Sequence, residues 1–217
     1  MFQKMIRLVI GVCLSLLFPL VVSGGELERY WSFDDQGNVT GVFGKAMTFP
    51  AEKPLSVNMD FLPQSGTLEQ FTVSAWIRPT AFEQYNEIFR QECNERILFS
   101  LQEHATILSL GLNINGYVEC DAKVDPAVLF DGNWHYAVGT FDGQTMRVYL
   151  DGKEIESLKR PGQIRVNPGP RGFIGSSSGT GEFFVGSIDE LKISNRWRRF
   201  RTKAGSSNWH QAANITA

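Results

Sequence analysis

Residues 133–156, NWHYAVGTFDGQTMRVYLDGKEIE, decide the fold of this chain. Two Asp-Gly pairs, Asp142-Gly143 and Asp151-Gly152, divide the segment into three short runs rich in apolar residues. Asp-Gly between such runs predicts a hairpin, because a type I′ turn needs positive φ at both central positions. The segment therefore predicts three antiparallel strands joined by tight turns.

The middle run carries the alternation of a half-buried strand. Its apolar side chains fall on one face and its polar ones on the other, namely Met146, Val148 and Leu150 against Arg147 and Tyr149. Residues 71–78 show the same period of two, with Phe71, Val73, Ala75 and Ile77 on one face and Thr72, Ser74, Trp76 and Arg78 on the other. We expect the apolar faces of both runs to point into one core.

Short runs of this kind, separated by turn residues, recur along the whole chain from residue 26 onward. We predict strands near 29–33, 46–49, 71–78, 87–90, 96–101, 107–113, 116–122, 134–141, 145–150, 153–156, 172–175 and 183–194. Regularly spaced short strands without a long helix indicate an all-β fold of two antiparallel sheets, a sandwich or jelly roll.

The first 24 residues have the pattern of a secretory signal peptide. Lys4 and Arg7 precede an apolar run over residues 8–22, and small residues follow at 23–25. Such a run is short for a membrane span, although an uncleaved anchor is the alternative. We therefore expect the signal over 1–24, a jelly-roll domain over 25–196, and no membrane span once the signal is removed. Residues 197–217 lose the alternation, and we expect a mobile basic tail there.

Export changes how the cysteines and charges are interpreted. Cys13 would leave with the signal, so Cys93 and Cys120 remain, and two cysteines in an exported domain predict a disulfide. Two buried thiols that never meet are the alternative. Without Lys4 and Arg7 the chain has 19 Lys and Arg against 23 Asp and Glu, a net charge of −4. This acidic balance argues against a nucleic-acid partner.

Five stretches of the sequence together resemble the concanavalin A-like lectin/glucanase superfamily, and within it the laminin-G-like or pentraxin-like jelly-roll domains of exported bacterial proteins. They are YWSFDD, GKAMTF, FTVSAWIRP, GNWHYAVGTFDGQTMRVYLDGKEI and GFIGSSSGTGEFFVGSIDELKISNR. The resemblance covers residues 29–196. It implies a binding or adhesion module built as a jelly roll, often with one bound calcium ion.

The resemblance also implies where calcium would bind. In this superfamily a recurrent site joins the first and last strands, and the matching residues here are Asp34 or Asp35 and Asp189. The alternative is that Asp189 only caps a strand or pairs with an arginine. The loop 175–181, which matches the pentraxin calcium loop, has no carboxylate, and we expect a flexible surface connection there.

The residues argue against catalysis. Hydrolytic members of the superfamily place Glu-x-Asp-x-(x)-Glu along one strand, and we find no such run here. His104, His135 and His210 show no metal-ligand spacing, and we interpret His135 as a structural residue hydrogen-bonded to a loop. We therefore predict that the chain is not an enzyme.

Aromatic residues on polar strand faces are the candidates for ligand contact, because sugar rings stack on Trp and Tyr. Trp76, Tyr117 and Tyr149 occupy such positions, and packing is the alternative for each. The leading hypothesis is a secreted or extracytoplasmic binding module for carbohydrate or a cell-surface protein, with calcium as a possible cofactor. The alternatives are a glycan-active hydrolase with an atypical site and a self-association or cell-surface assembly domain.

Overall fold

The computed structural model describes residues 28–49, 55–58, 66–81, 83–91, 96–166 and 171–197, without the side chains of 55–58 and Arg171. Its strands run in the order β1 (Glu28–Trp31), β2 (Val39–Thr40), β3 (Lys45–Phe49), β4 (Leu55–Asn58), β5 (Gly66–Leu68), β6 (Phe71–Pro79), β7 (Tyr85–Gln91), β8 (Ile97–Gln102), β9 (Ile107–Asn113) and β10 (Tyr117–Lys123). After the short helix α1 (Pro126–Leu129) come β11 (His135–Phe141), β12 (Thr145–Leu150), β13 (Lys153–Lys159), β14 (Ile164–Val166), β15 (Arg171–Ile174) and β16 (Gly186–Ser194).

These strands form two large antiparallel sheets. The eight-stranded sheet has the order β13-β12-β11-β6-β16-β3-β2, with β1 also paired to β16. The six-stranded sheet has the order β10-β9-β8-β7-β15-β4, and β14 pairs with β5 in a small third sheet. The predicted all-β, two-sheet antiparallel jelly-roll sandwich is confirmed.

The core lies between the two large sheets. Phe71, Val73, Ala75 and Ile77 of β6 are completely buried, as their alternation predicts. They belong to one apolar cluster with inward residues of β8 and β9, including Phe99. Alternate inward side chains of facing sheets form such a core because successive residues of a strand point to opposite faces.

The hairpin turns follow the sequence prediction at one Asp-Gly pair and depart from it at the other. Asp151 and Gly152 both have positive φ, 49° and 76°, as a type I′ turn requires. At the other pair only Gly143 has positive φ, at 92°. There the Asp142 carboxylate accepts hydrogen bonds from the backbone N–H groups of Gln144 and Thr145, at 2.9 and 2.8 Å. This side-chain turn replaces the predicted type I′ geometry.

Several predictions fall on residues that the structure does not describe, namely the signal peptide, the tail beyond Trp197, and Cys93. The structure also contains four short strands that the sequence did not predict, β2, β4, β5 and β14. Each has two to four residues, too few to show an alternation.

Candidate functional site

The outward side of strands β7 to β10 carries a group of interacting polar side chains. Its side chains are those that alternate with the core positions of these four strands. We call this set the polar face: Tyr85, Glu87, Arg90, Leu98, Ser100, Gln102, Ile107, Ser109, Gly111, Asn113, Tyr117, Glu119, Asp121 and Lys123.

Strand register arranges the polar face in rows. One row crosses all four strands as Glu87, Ser100, Ser109 and Asp121, because each is the direct partner of the next. The neighbouring row is Arg90, Leu98, Gly111 and Glu119. Small residues therefore occupy the middle of the face, and longer charged residues stand on β7 and β10.

Two carboxylates on β10 are fixed by hydrogen bonds from neighbouring strands. The Ser109 hydroxyl donates to Asp121 Oδ1 at 2.6 Å and, more weakly, to Glu119 Oε2 at 3.4 Å. Gln102 Nε2 donates to the same oxygen of Glu119 at 3.0 Å. Both carboxylates are thus held in place, and an acceptor held in place binds a ligand with a smaller loss of side-chain entropy.

Tyr117 combines partial exposure with a fixed position. Its side chain is 40% exposed, and its hydroxyl donates to Glu119 Oε1 at 2.7 Å. The ring lies across Gly111, where an added Cβ would meet the Tyr117 hydroxyl at 2.2 Å, and the Arg96 guanidinium lies 5.3 Å from the ring centroid. Burial, followed by the bond to Glu119, raises the pKa of Tyr117 well above its usual range, so the hydroxyl remains a donor.

An ion-pair group closes the β7 side of the polar face. Arg90 Nη1 lies 2.6 Å from Glu87 Oε1 and 2.7 Å from Glu182 Oε2. Glu87 is completely buried, and its pairing with Arg90 offsets the cost of removing a charge from water. Glu182 directly follows the loop 175–181. In this loop Ser176 and Ser177 are buried and both donate to the Gly181 carbonyl, whereas Ser178 and Thr180 are exposed, so the flexible surface connection stays a prediction.

Ser100 Oγ and Asn113 Oδ1 are buried polar atoms of this face that make no hydrogen bond within the described part of the chain, on side chains that are 0% and 8% exposed. A buried polar group without a partner costs about 1–3 kcal/mol, so each lowers the stability of the sheet.

The structure separates the three predicted ligand-contact residues. Tyr117 belongs to the polar face, whereas Trp76 and Tyr149 lie on the outer side of the eight-stranded sheet and are each only 6% exposed. The Trp76 ring packs on Tyr136 with centroids 5.0 Å apart, and burial raises the pKa of Tyr149 to about 12. The packing alternative therefore fits Trp76 and Tyr149, and only Tyr117 offers a partly accessible ring.

The predicted calcium ligands act in the structure as acceptors for backbone amides. Asp189 is fully buried, and its Oδ2 accepts from the N–H groups of Val42 and Phe43 at 2.7 and 3.3 Å. Asp34 Oδ1 accepts from Lys45 N at 2.9 Å. Burial is the main cause that raises the pKa of Asp189, and the nearby Asp34 charge adds to it.

These bonds fix the turn 41–44 against β16. Within the described ranges no group of three or more His, Cys, Asp or Glu side chains is arranged to hold a metal ion. The carboxylates therefore fit the turn-closing role better than a calcium site, and calcium stays a prediction.

Cys120 is a free, buried thiol in the structure. Its Sγ faces the Met146 carbonyl of β12 at 3.9 Å, and burial raises its pKa to about 12. Cys93 lies outside the described residues, so the Cys93–Cys120 bridge stays a prediction.

His135 joins two loops at one end of the eight-stranded sheet. Its Nδ1 lies 2.8 Å from Asp151 Oδ2, and its Nε2 lies 3.1 Å from Asp131 Oδ1. The hydrogen bond to Asp151 is the largest cause that raises the pKa of His135, and hydrogen bonds from Asn133 are the main cause that lowers the pKa of Asp131. The structural role predicted for His135 is confirmed.

The spacing of the acidic residues on β10 can be compared with the pattern of the hydrolytic superfamily members. Glu119 and Asp121 alternate on one face, which the sequence reading did not single out as a pair, but Lys123 stands where a third carboxylate would complete the hydrolytic pattern. The missing third acid separates this strand from the arrangement of the glucanases.

A model of the concanavalin A-like lectin/glucanases superfamily, of the laminin G type, matches residues 57–199. The chain belongs to this superfamily. A comparison with curated protein sequences found no match. No helix among the described residues is long and apolar enough to cross a membrane.

Several solved structures share this fold at low sequence identity. Domains LG4-5 of the mouse laminin α1 chain give a TM-score of 0.55 at 10% identity, covering 68% of this chain and 40% of that one. Domain 4 of the Geobacillus stearothermophilus arabinanase AbnA, in complex with arabinotriose, gives 0.56 at 21% identity, covering 78% and 81%. The CBM40 domain of a Ruminococcus gnavus sialidase, bound to α2,3 sialyllactose, gives 0.55 at 11% identity, covering 71% and 91%.

These neighbours include the CBM40 domain, and at 10–21% identity what they share with this chain is the fold. The chain spans only 40% of the laminin fragment.

Proposed function

We propose that this chain is an exported, non-enzymatic module that binds carbohydrate on the polar face. The observation that carries the proposal is the fixed group of Tyr117, Glu119 and Asp121. It places a partly exposed aromatic ring beside two oriented carboxylates. Sugars are recognised by this combination, because a ring contacts their C–H surface while acceptors bind their hydroxyl groups.

The similar folds support the proposal. The AbnA domain was solved with arabinotriose and the CBM40 domain with sialyllactose, so comparable sandwiches bind oligosaccharides.

A glycan array followed by calorimetry tests the proposal. We expect binding of at least one oligosaccharide by the chain without residues 1–24, and a loss of affinity of about tenfold in Tyr117→Ala. Tyr30→Ala is the matched control, because Tyr30 is a 50% exposed tyrosine on the other sheet. Equal affinities of both variants would contradict the assignment of the polar face.

The outcome also separates the other hypotheses. If no glycan binds and the measured molecular mass of the protein rises with its concentration, a self-association domain is favoured. Release of reducing ends from a polysaccharide would favour a hydrolase. Export has its own test: intact-mass analysis of protein collected outside the cytoplasm should show a chain beginning near Gly25, and retention of residues 1–24 would contradict removal of the signal.

A further inference from the structure

The polar face offers a ligand mainly hydrogen-bond acceptors. Glu119 and Asp121 are carboxylates, which accept hydrogen bonds but cannot donate them when ionised. Ligand groups that donate hydrogen bonds, such as sugar hydroxyls, therefore match this face.

The positive charges near this face are fewer than its carboxylates. Arg90 lies between two carboxylates, Glu87 and Glu182, and the Arg96 guanidinium lies 5.3 Å from the centroid of the Tyr117 ring. Lys123 is at the far end of β10, one row beyond Asp121. A ligand carboxylate or sulfate beside Tyr117 would therefore face the two carboxylates Glu119 and Asp121 as well as Arg96, and the carboxylates outnumber the guanidinium.

We infer that the polar face selects uncharged, hydroxyl-rich oligosaccharides and excludes anionic glycans, an inference that rests on the proposed function. The partly exposed Tyr117 ring supports it independently of charge, because an aromatic ring contacts the C–H surface of a sugar. Like charges brought together at an interface weaken binding, here by an expected factor of about ten or more.

Matched pairs of glycans test this inference. Calorimetry at low salt would compare lactose with α2,3-sialyllactose and galactan with polygalacturonate, with arabinotriose as a further neutral probe. We expect at least one neutral member to bind, and its anionic partner to bind at least about tenfold more weakly. Asp121→Asn should narrow this difference, because it removes a charge from an exposed side chain of the polar face while keeping an acceptor.

The results separate the two levels of the proposal. Tighter binding of an anionic member, lost in Tyr117→Ala but not in Tyr30→Ala, would overturn this inference and leave the proposed function standing. An unchanged preference for the neutral member in Asp121→Asn and Glu119→Gln would overturn the assigned charge mechanism. Absence of binding by all probes and by the glycan array would overturn the proposed function, and this inference with it.

Discussion

The outward faces of the two sheets differ in exposure, although in both sheets the outward side chains are every second residue of each strand. On the eight-stranded sheet the outward Trp76 and Tyr149 are almost fully buried, and Thr72 and Ser74 beside them are buried too. On the six-stranded sheet Glu87, Ser100 and Ser109 are buried as well, whereas Tyr117 on the edge strand β10 keeps 40% of its surface exposed. The outward side chains are therefore packed at the centre of both sheets, and most of the accessible part of the polar face lies on β10.

This difference teaches that an outward position in a sandwich does not guarantee contact with solvent. On the eight-stranded sheet the backbone after β16 returns over β6, where Thr72 Oγ1 donates to the Arg196 carbonyl at 2.6 Å and Trp197 N donates to Gln70 Oε1 at 3.1 Å. Contacts between distant parts of the chain thus decide which outward face is covered.

Replacing one outward aromatic residue of each sheet with alanine should give the largest difference in stability between two variants. Trp76→Ala should lower the free energy of unfolding by about 3–5 kcal/mol, because it removes a buried ring that packs on Tyr136. Tyr117→Ala should cost less than about 1 kcal/mol and act on glycan binding instead. Urea unfolding of both variants measures the difference, and similar losses of stability would break the comparison between the faces.

Replacing Asp189 should give the next largest loss of stability, and the same variants test whether the domain binds calcium. Asp189→Ala should destabilise the domain by about 1–3 kcal/mol even in the presence of a chelator, because the partly buried N–H groups of Val42 and Phe43 lose their acceptor. Asp189→Asn is the control that keeps an acceptor oxygen. Melting curves with EDTA and with calcium provide the measurement. A calcium-dependent rise in the melting temperature that disappears in both variants would support a calcium site instead.

The hydrogen bonds of His135 should make the free energy of unfolding depend on pH. The pKa of His135 is raised above its usual value of 6.5, so its contribution is fully present below pH 6.5 and is lost as pH rises through the folded-state pKa. We expect His135→Gln to remove about 1 kcal/mol at pH 6 and less at pH 9. His104→Asn, at an exposed turn after β8, is the control. An equal loss at both pH values would contradict a charged His135.

Gly111→Ala should have the smallest effect on stability and a clear one on binding. The new Cβ would lie 2.2 Å from the Tyr117 hydroxyl and 3.1 Å from Leu98 Cβ, so the Tyr117 ring would have to shift away from its position beside Glu119. We expect a change in unfolding free energy within about 1 kcal/mol and a lower glycan affinity. In the Tyr117→Ala background the substitution should cause no further loss, and calorimetry on the double variant checks this.

Part of the candidate site was predictable from strand alternation. Tyr117 and Glu119 share a face of a hairpin in the sequence, and ILSLGLN over β9 already alternates apolar residues with Ser109, Gly111 and Asn113. The sequence does not show that these strands form one surface, because their register is set only when the strands pair. The contact between Arg90 and Glu182 joins residues 92 positions apart, and no local pattern predicts it.

The amino-acid sequence by itself determined the period of the strands, the Asp151-Gly152 turn and the membership of the core, because these depend on neighbouring residues and on which side chains avoid water. Only the tertiary structure decided that Trp76 is covered while Tyr117 remains accessible, and that Asp189 closes the turn 41–44. The physical reason is that exposure and hydrogen-bond partners depend on segments that meet only after the two sheets have packed.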